Sequence, residues 1–101
     1  MRSFDISEEA DQDLLGIWNY SFENWGIEQA DRYLDLIEAG CLQIVDGSAV
    51  TRSFAKIHPK LKSSHCEHHY IFYLSNPDQK PLVIAVLHEN MDLVARVKER
   101  L

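Results

Sequence analysis

The chain has 101 residues, of which 46% are hydrophobic and 26% charged, with a formal net charge of −6. That length holds one core of ordinary size, and the composition excludes a disordered or fibrous chain. It also leaves no second layer to enclose a large cofactor, and none is expected.

The first residues alternate, with Phe4 and Ile6 on one side of a short strand over 2–6. Ser7 stands where a helix N-cap belongs, and Glu8, Glu9 and Asp11 place negative charge at the positive end of the helix dipole. Ala10, Leu14, Ile17, Trp18 and Ser21 follow at helical spacing, so 7–22 reads as an amphipathic helix. Residues 23–26 break the pattern. A second helix is expected over 27–45, with Ala30, Tyr33, Leu34, Ile37, Cys41 and Ile44 on one face and Gly47 as its stop. So short a connection makes the two helices an antiparallel hairpin. Gly16 and Gly40 inside them cost about 1 kcal/mol each against alanine, which close approach of the helices would offset.

Residues 46–59 are irregular. The period then changes to two, predicting strands over 60–66 and 69–74 about a turn at Glu67-His68. After a turn at 75–80, Pro81 opens a strand over 82–87 whose unbroken apolar run suggests burial on both faces. Asp92 starts a short helix with Val94, Val97 and Leu101 apolar. The expected fold is α+β in two layers: an N-terminal strand, an αα-hairpin on an antiparallel sheet, and a short C-terminal helix, as a single domain over 1–101.

The apolar run at 82–87 is far short of the ~20 residues that a membrane span requires. The acidic start lacks the apolar core of a signal peptide, and Cys41 and Cys66 show no framework spacing. A cytoplasmic protein with reduced thiols is expected. Charge is unevenly spread: residues 1–51 hold two cations against eleven carboxylates, and residues 52–101 hold eight against five. The acidic total argues against general nucleic-acid binding, yet Arg52, Lys56, Lys60 and Lys62 run without an intervening acid. The plainer reading of that run is a solvated loop.

His65, Cys66, His68 and His69 crowd around Glu67, but their spacing matches no standard zinc pattern. The alternative is strand and turn histidines that happen to fall together. Ser63, Ser64 and Cys66 have no nucleophile elbow or oxyanion loop beside them, and there is no P-loop or dinucleotide fingerprint. No catalytic residue or metal ligand is assigned.

Asp13-Leu14, Ile17, Tyr20, Trp25-Gly26, Gln29-Ala30 and Tyr33, then His69-x-Ile71-Phe72-Tyr73, then Leu87-His88-x-x-Met91-Asp92, form a series of spaced motifs. In this order the chain resembles the ParE family of toxins from type II toxin–antitoxin systems, within the RelE/ParE superfamily. The resemblance runs from about Phe4 to Asp92. It implies a cytoplasmic toxin wrapped by the C-terminal tail of a ParD-like antitoxin, whose N-terminal part binds operator DNA. It further implies DNA gyrase as target, with the cleaved-DNA complex stabilised by binding and without bond chemistry. No direct specific nucleic-acid binding is expected except through the antitoxin complex, and no membrane partner.

For the antitoxin or target, Trp25, Trp18 and Tyr33, with Leu14 and the last helix, are the apolar candidates. Arg52, Lys56, Lys60 and Lys62 are the basic margin. Core packing competes with partner contact for Trp18, Tyr33 and Trp25. His88, Met91 and Asp92 read as structural residues of the last turn, with Asp92 as N-cap. The chain departs from the family in carrying Ala85 where many relatives have an arginine, and residues 47–59 show no clear family pattern. A RelE-like ribosome-dependent endoribonuclease and a non-toxic binding remnant of the fold are the alternative functions.

Overall fold

A computed structural model describes residues 3–101. The chain forms β1 (Asp5–Ile6), α1 (Glu8–Trp25), α2 (Ile27–Asp46), β2 (Thr51–Ser53), β3 (Leu61–Cys66), β4 (His69–Leu74), β5 (Leu82–His88) and α3 (Leu93–Lys98). Arg2, expected in the first strand, lies outside the described residues.

Ser7 caps α1 by accepting the Ala10 N–H at 3.1 Å. The helix runs through 23–25, because nothing there opposes helical backbone, and stops at Gly26, whose φ of 88° favours glycine. Gly47, left-handed at φ 81°, ends α2.

The five strands lie in the order β1-β5-β4-β3-β2. The sheet is antiparallel except at its end, where β1 pairs parallel to β5 through Asp5↔Leu82 and Ile6↔Val83. The sheet is therefore mixed. β2 lies within the segment read as irregular: Thr51, Arg52 and Ser53 are all exposed, so no buried alternation marks them.

Alternation along β4 divides the core. Ile71 and Tyr73 face the helical hairpin with Ala10, Ile37, Cys41, Val83 and Val86. Phe72 faces the other way with Leu61, Ile84, Ala85, Leu87 and Val97 of α3, and Phe54 and Ile57 pack there too. The second face of the sheet thus carries a cover of its own, made by α3 and the 54–58 turn. A bulge lets Phe72 pair with Ala85 while Tyr73 pairs with Val83, and it turns both Ile84 and Ala85 toward that second core. Ala85 is fully buried, so an arginine there would carry its charge into the core.

The two helical glycines differ. A Cβ on Gly40 would stand 2.9 Å from Cys66 Sγ and 3.1 Å from Ile71 Cδ1, so the close approach is of α2 to the sheet, not of helix to helix. Gly16 has nothing within 4 Å of its Cβ position. Among the described residues, no helix is long and apolar enough to cross a membrane.

Candidate functional site

The helical hairpin overhangs the end of the sheet where β4 begins and β5 ends, leaving a cleft of about 810 Å³. Gly16, Tyr20 and Trp25 come from α1 and its end; Gln29, Tyr33 and Leu36 recur on one stripe of α2. His69, Val86, Leu87 and His88 provide the floor, and Met91 the far lip. Tyr20 and Trp25 are 62% and 64% exposed and meet edge to face at 5.9 Å, so an aromatic pair stands open at the rim.

Tyr33 and His69 meet in the floor. Tyr33 accepts the His68 backbone N–H at 3.1 Å and lies 2.6 Å from His69 Nδ1. Burial, and then the neighbouring His88, push His69 down to about 4; burial also raises the Tyr33 phenol. Both groups are therefore uncharged at neutral pH. Tyr33 has one proton to give, and His69 Nδ1 is the acceptor beside it, which leaves Nε2–H as the donor His69 offers. His88 Nδ1 accepts the Asn90 N–H at 3.1 Å, and the two imidazoles stand at 88° with centroids 5.2 Å apart.

The other two histidines of the cluster turn outward. Glu89 bridges them, with Oε1 3.0 Å from His65 Nε2 and Oε2 3.2 Å from His68 Nδ1. These hydrogen bonds hold the Glu89 carboxyl below its usual range. No group of three or more His, Cys, Asp or Glu side chains converges as a metal site among the described residues. Ser63 and Ser64 are buried, and Cys66 gives its S–H to the Leu36 carbonyl at 3.4 Å, its thiol pushed up by burial. None of the three is placed as a nucleophile.

Asp13 also lines the cleft; helix spacing alone would put it with Glu9 on a solvated face, but its side chain is largely buried. β1 covers β5 no further than Val83, so the next edge groups of β5 need other partners. Asp13 Oδ2 accepts the Val86 N–H and Arg100 donates to the Ile84 carbonyl, each at 2.9 Å. Arg100 and Asp13 also form a two-pronged pair with both distances 2.9 Å. The pair closes the open edge and ties the segment after α3 to α1.

Of the residues singled out by sequence, the cleft brings together Trp25, Tyr33, His88 and Met91. Trp18 is not there: half-buried, it stacks on Phe22 at 5.2 Å and donates Nε1–H to Asp31 at 2.9 Å, linking the helices. Leu14 packs into the hairpin-side core. Asp92 caps α3 by accepting the Ala95 N–H at 3.3 Å. Arg52, Lys56, Lys60 and Lys62 lie on or between β2 and β3, at the opposite end of the strand order from β1, and do not line the cleft. Apolar groove and basic run are thus separate surfaces, because the run folds with the cover of the second core.

The family model for the ParE toxin of type II toxin–antitoxin systems, parDE, matches residues 4–93. The chain belongs to the ParE toxin family. Toxin ParE of Escherichia coli is 37% identical over the whole chain and 98% of its own length. Toxin ParE1 of Caulobacter vibrioides is 27% identical over 96% of this chain and 99% of that protein. A chain of the chromosomal ParDE TA system from P. aeruginosa shares the fold with a TM-score of 0.70, covering 87% of this chain and 96% of its own at 15% identity. The ParE-family motifs at Tyr20, Trp25, Gln29, Tyr33, His69 and His88 all open onto the cleft.

Proposed function

We propose that this ParE-family chain is a toxin that acts by binding DNA gyrase and holding its cleaved-DNA complex, and that a ParD-like antitoxin neutralises it through the cleft. The observation that carries the antitoxin site is the convergence of separated family motifs on one open, aromatic-rimmed cleft. A tail that folds on binding needs apolar surface to offset its ordering cost, and Tyr20, Trp25, Leu36 and Met91 offer it. The P. aeruginosa protein of the same fold belongs to a ParDE system, which supports a ParD-like partner. The gyrase target rests on the family resemblance.

Action without bond chemistry fits the cleft's electrostatics. Among the described residues, no lysine or arginine lines it, and Asp13 and Glu67 do. A ribonuclease must stabilise negative charge developing on a phosphate, for which cations are the usual means. This favours a binding toxin over an endoribonuclease acting at the cleft. Adding the purified protein to gyrase and plasmid should accumulate linear DNA after protein removal. Supercoiling and cleavage indistinguishable from gyrase alone would reject the target. Trp25→Ala should weaken capture by the antitoxin about tenfold or more, as loss of an interface anchor does.

A further inference from the structure

The basic run has a place in the fold that the antitoxin cleft leaves unused. Phe54 and Ile57 pack into the same core as Leu93 and Val97 of α3, so the 54–58 turn and α3 are parts of one cover over the second sheet face. Arg52, Lys56 and Lys60 accompany the turn, and Arg96 and Lys98 lie on α3; all five are exposed. Lys62 is the exception: next to Leu61 in β3 and opposite Tyr73, it faces the hairpin side.

Among the described residues, none of these five cations lies in an ion pair within 4.0 Å. Arg52 stands over the Phe54 ring at 5.3 Å, which holds the guanidinium at the surface. The acids in the same two segments are Asp92, engaged as a cap, and Glu99. The helical hairpin, by contrast, has one arginine against ten carboxylates over 8–46. Acids therefore predominate on the hairpin side and these five cations lie on the α3 side, with Arg100, just after α3, paired to Asp13 and Glu9 of α1 where the two sides meet.

We propose that this α3-side cover is a sequence-independent contact surface for the phosphate backbone of duplex DNA. The net charge of −6 does not forbid it. The molecule measures 39 × 30 × 23 Å, and charges are screened over about 8 Å at physiological salt, so the hairpin acids other than Glu9 and Asp13, which Arg100 engages, are weakly felt across the sheet. Phosphates meet the five local cations. In the setting of the gyrase reading, on which this step rests, the surface would face DNA held by the target while the cleft faces the antitoxin.

The test is fluorescence anisotropy of a labelled duplex of about 20 base pairs with the full-length protein alone, across a salt series. Binding should be weak, with log affinity falling against log salt at a slope of about −3 to −5, the value for that number of phosphate contacts. Lys56→Glu/Lys60→Glu and Arg96→Glu/Lys98→Glu should each lower affinity about tenfold or more, and glutamine versions should show a smaller loss in the same direction. Glu23→Gln/Glu28→Gln on the hairpin should leave the slope unchanged. No binding at low salt, or binding untouched by the cationic variants, overturns the proposal. Polyglutamate competing as well as the duplex for these residues would also overturn it, assigning the surface to an acidic protein.

The gyrase assay separates the two readings. Cleavage by the wild type without duplex binding sinks this proposal alone. Duplex binding without cleavage sinks the gyrase target and leaves the surface standing.

Discussion

Asp13 and Arg100, 87 positions apart, stand in for the strand that β1 is too short to supply. Both side chains are largely buried, at 16% and 17% exposed. Removing Arg100 leaves the Asp13 charge without its partner and the Ile84 carbonyl with only the long Ser7 contact at 3.5 Å; removing the Asp13 charge leaves Arg100 with the longer Glu9 pair at 3.4 Å. Arg100→Gln or Asp13→Asn should each cost about 2–3 kcal/mol in denaturant unfolding, and the double variant less than their sum. Strict additivity would show that the pair carries no coupling. His69 gives a residue-scale pH signature. Its folded value of about 4 lies below the ordinary imidazole value of 6.5, so the unfolded chain binds more protons between them. Stability should rise with pH from about 4 to 6.5, by roughly 2 kcal/mol after allowance for solvent in the cleft, and level off above. His69→Gln, which can still accept from Tyr33, should flatten that part of the profile in melts across the range.

At the scale of elements, helical periodicity and caps were strong signals, and α1 and α2 lie close to where the apolar stripes, Ser7 and Gly47 put them. Strand β2 carried no such signal, since all three of its residues face solvent. The bulge in β5 was hidden inside a uniformly apolar run, in which either face looks equally buried. The parallel pairing of β1 depends on a partner about 77 residues away, which local pattern does not encode. The two glycines that looked equivalent by helix propensity are separated only by what they face. Gly16→Ala should stabilise by up to about 1 kcal/mol, because the space is open and alanine is the better helix former. Gly40→Ala should destabilise by about 1–3 kcal/mol, because Cys66 and Ile71 must shift. Thermal melts of the two variants moving in the same direction would contradict the packing of α2 on the sheet.

Across the whole molecule, the sheet separates two surfaces of different character: an aromatic-rimmed cleft beneath an acidic helical hairpin, and a cationic cover built from α3 and the 54–58 turn. Half of this was legible beforehand. Trp25 at the hairpin tip and His88 at the end of the last strand were visible as motif residues. Their meeting with Tyr33 and His69 was not, because it depends on β4 beginning and β5 ending side by side beneath α2. The charge asymmetry was visible along the sequence, but the tertiary fold decides that Arg52 joins α3 and not the cleft.

The most direct test of the toxin reading is pulse labelling of DNA and protein synthesis after the gene is induced alone. DNA synthesis should fall first, with chromosome breaks and filamentous cells, and co-expressed antitoxin should prevent both. An early collapse of protein synthesis with intact chromosomes would contradict it and point to RNA as the target.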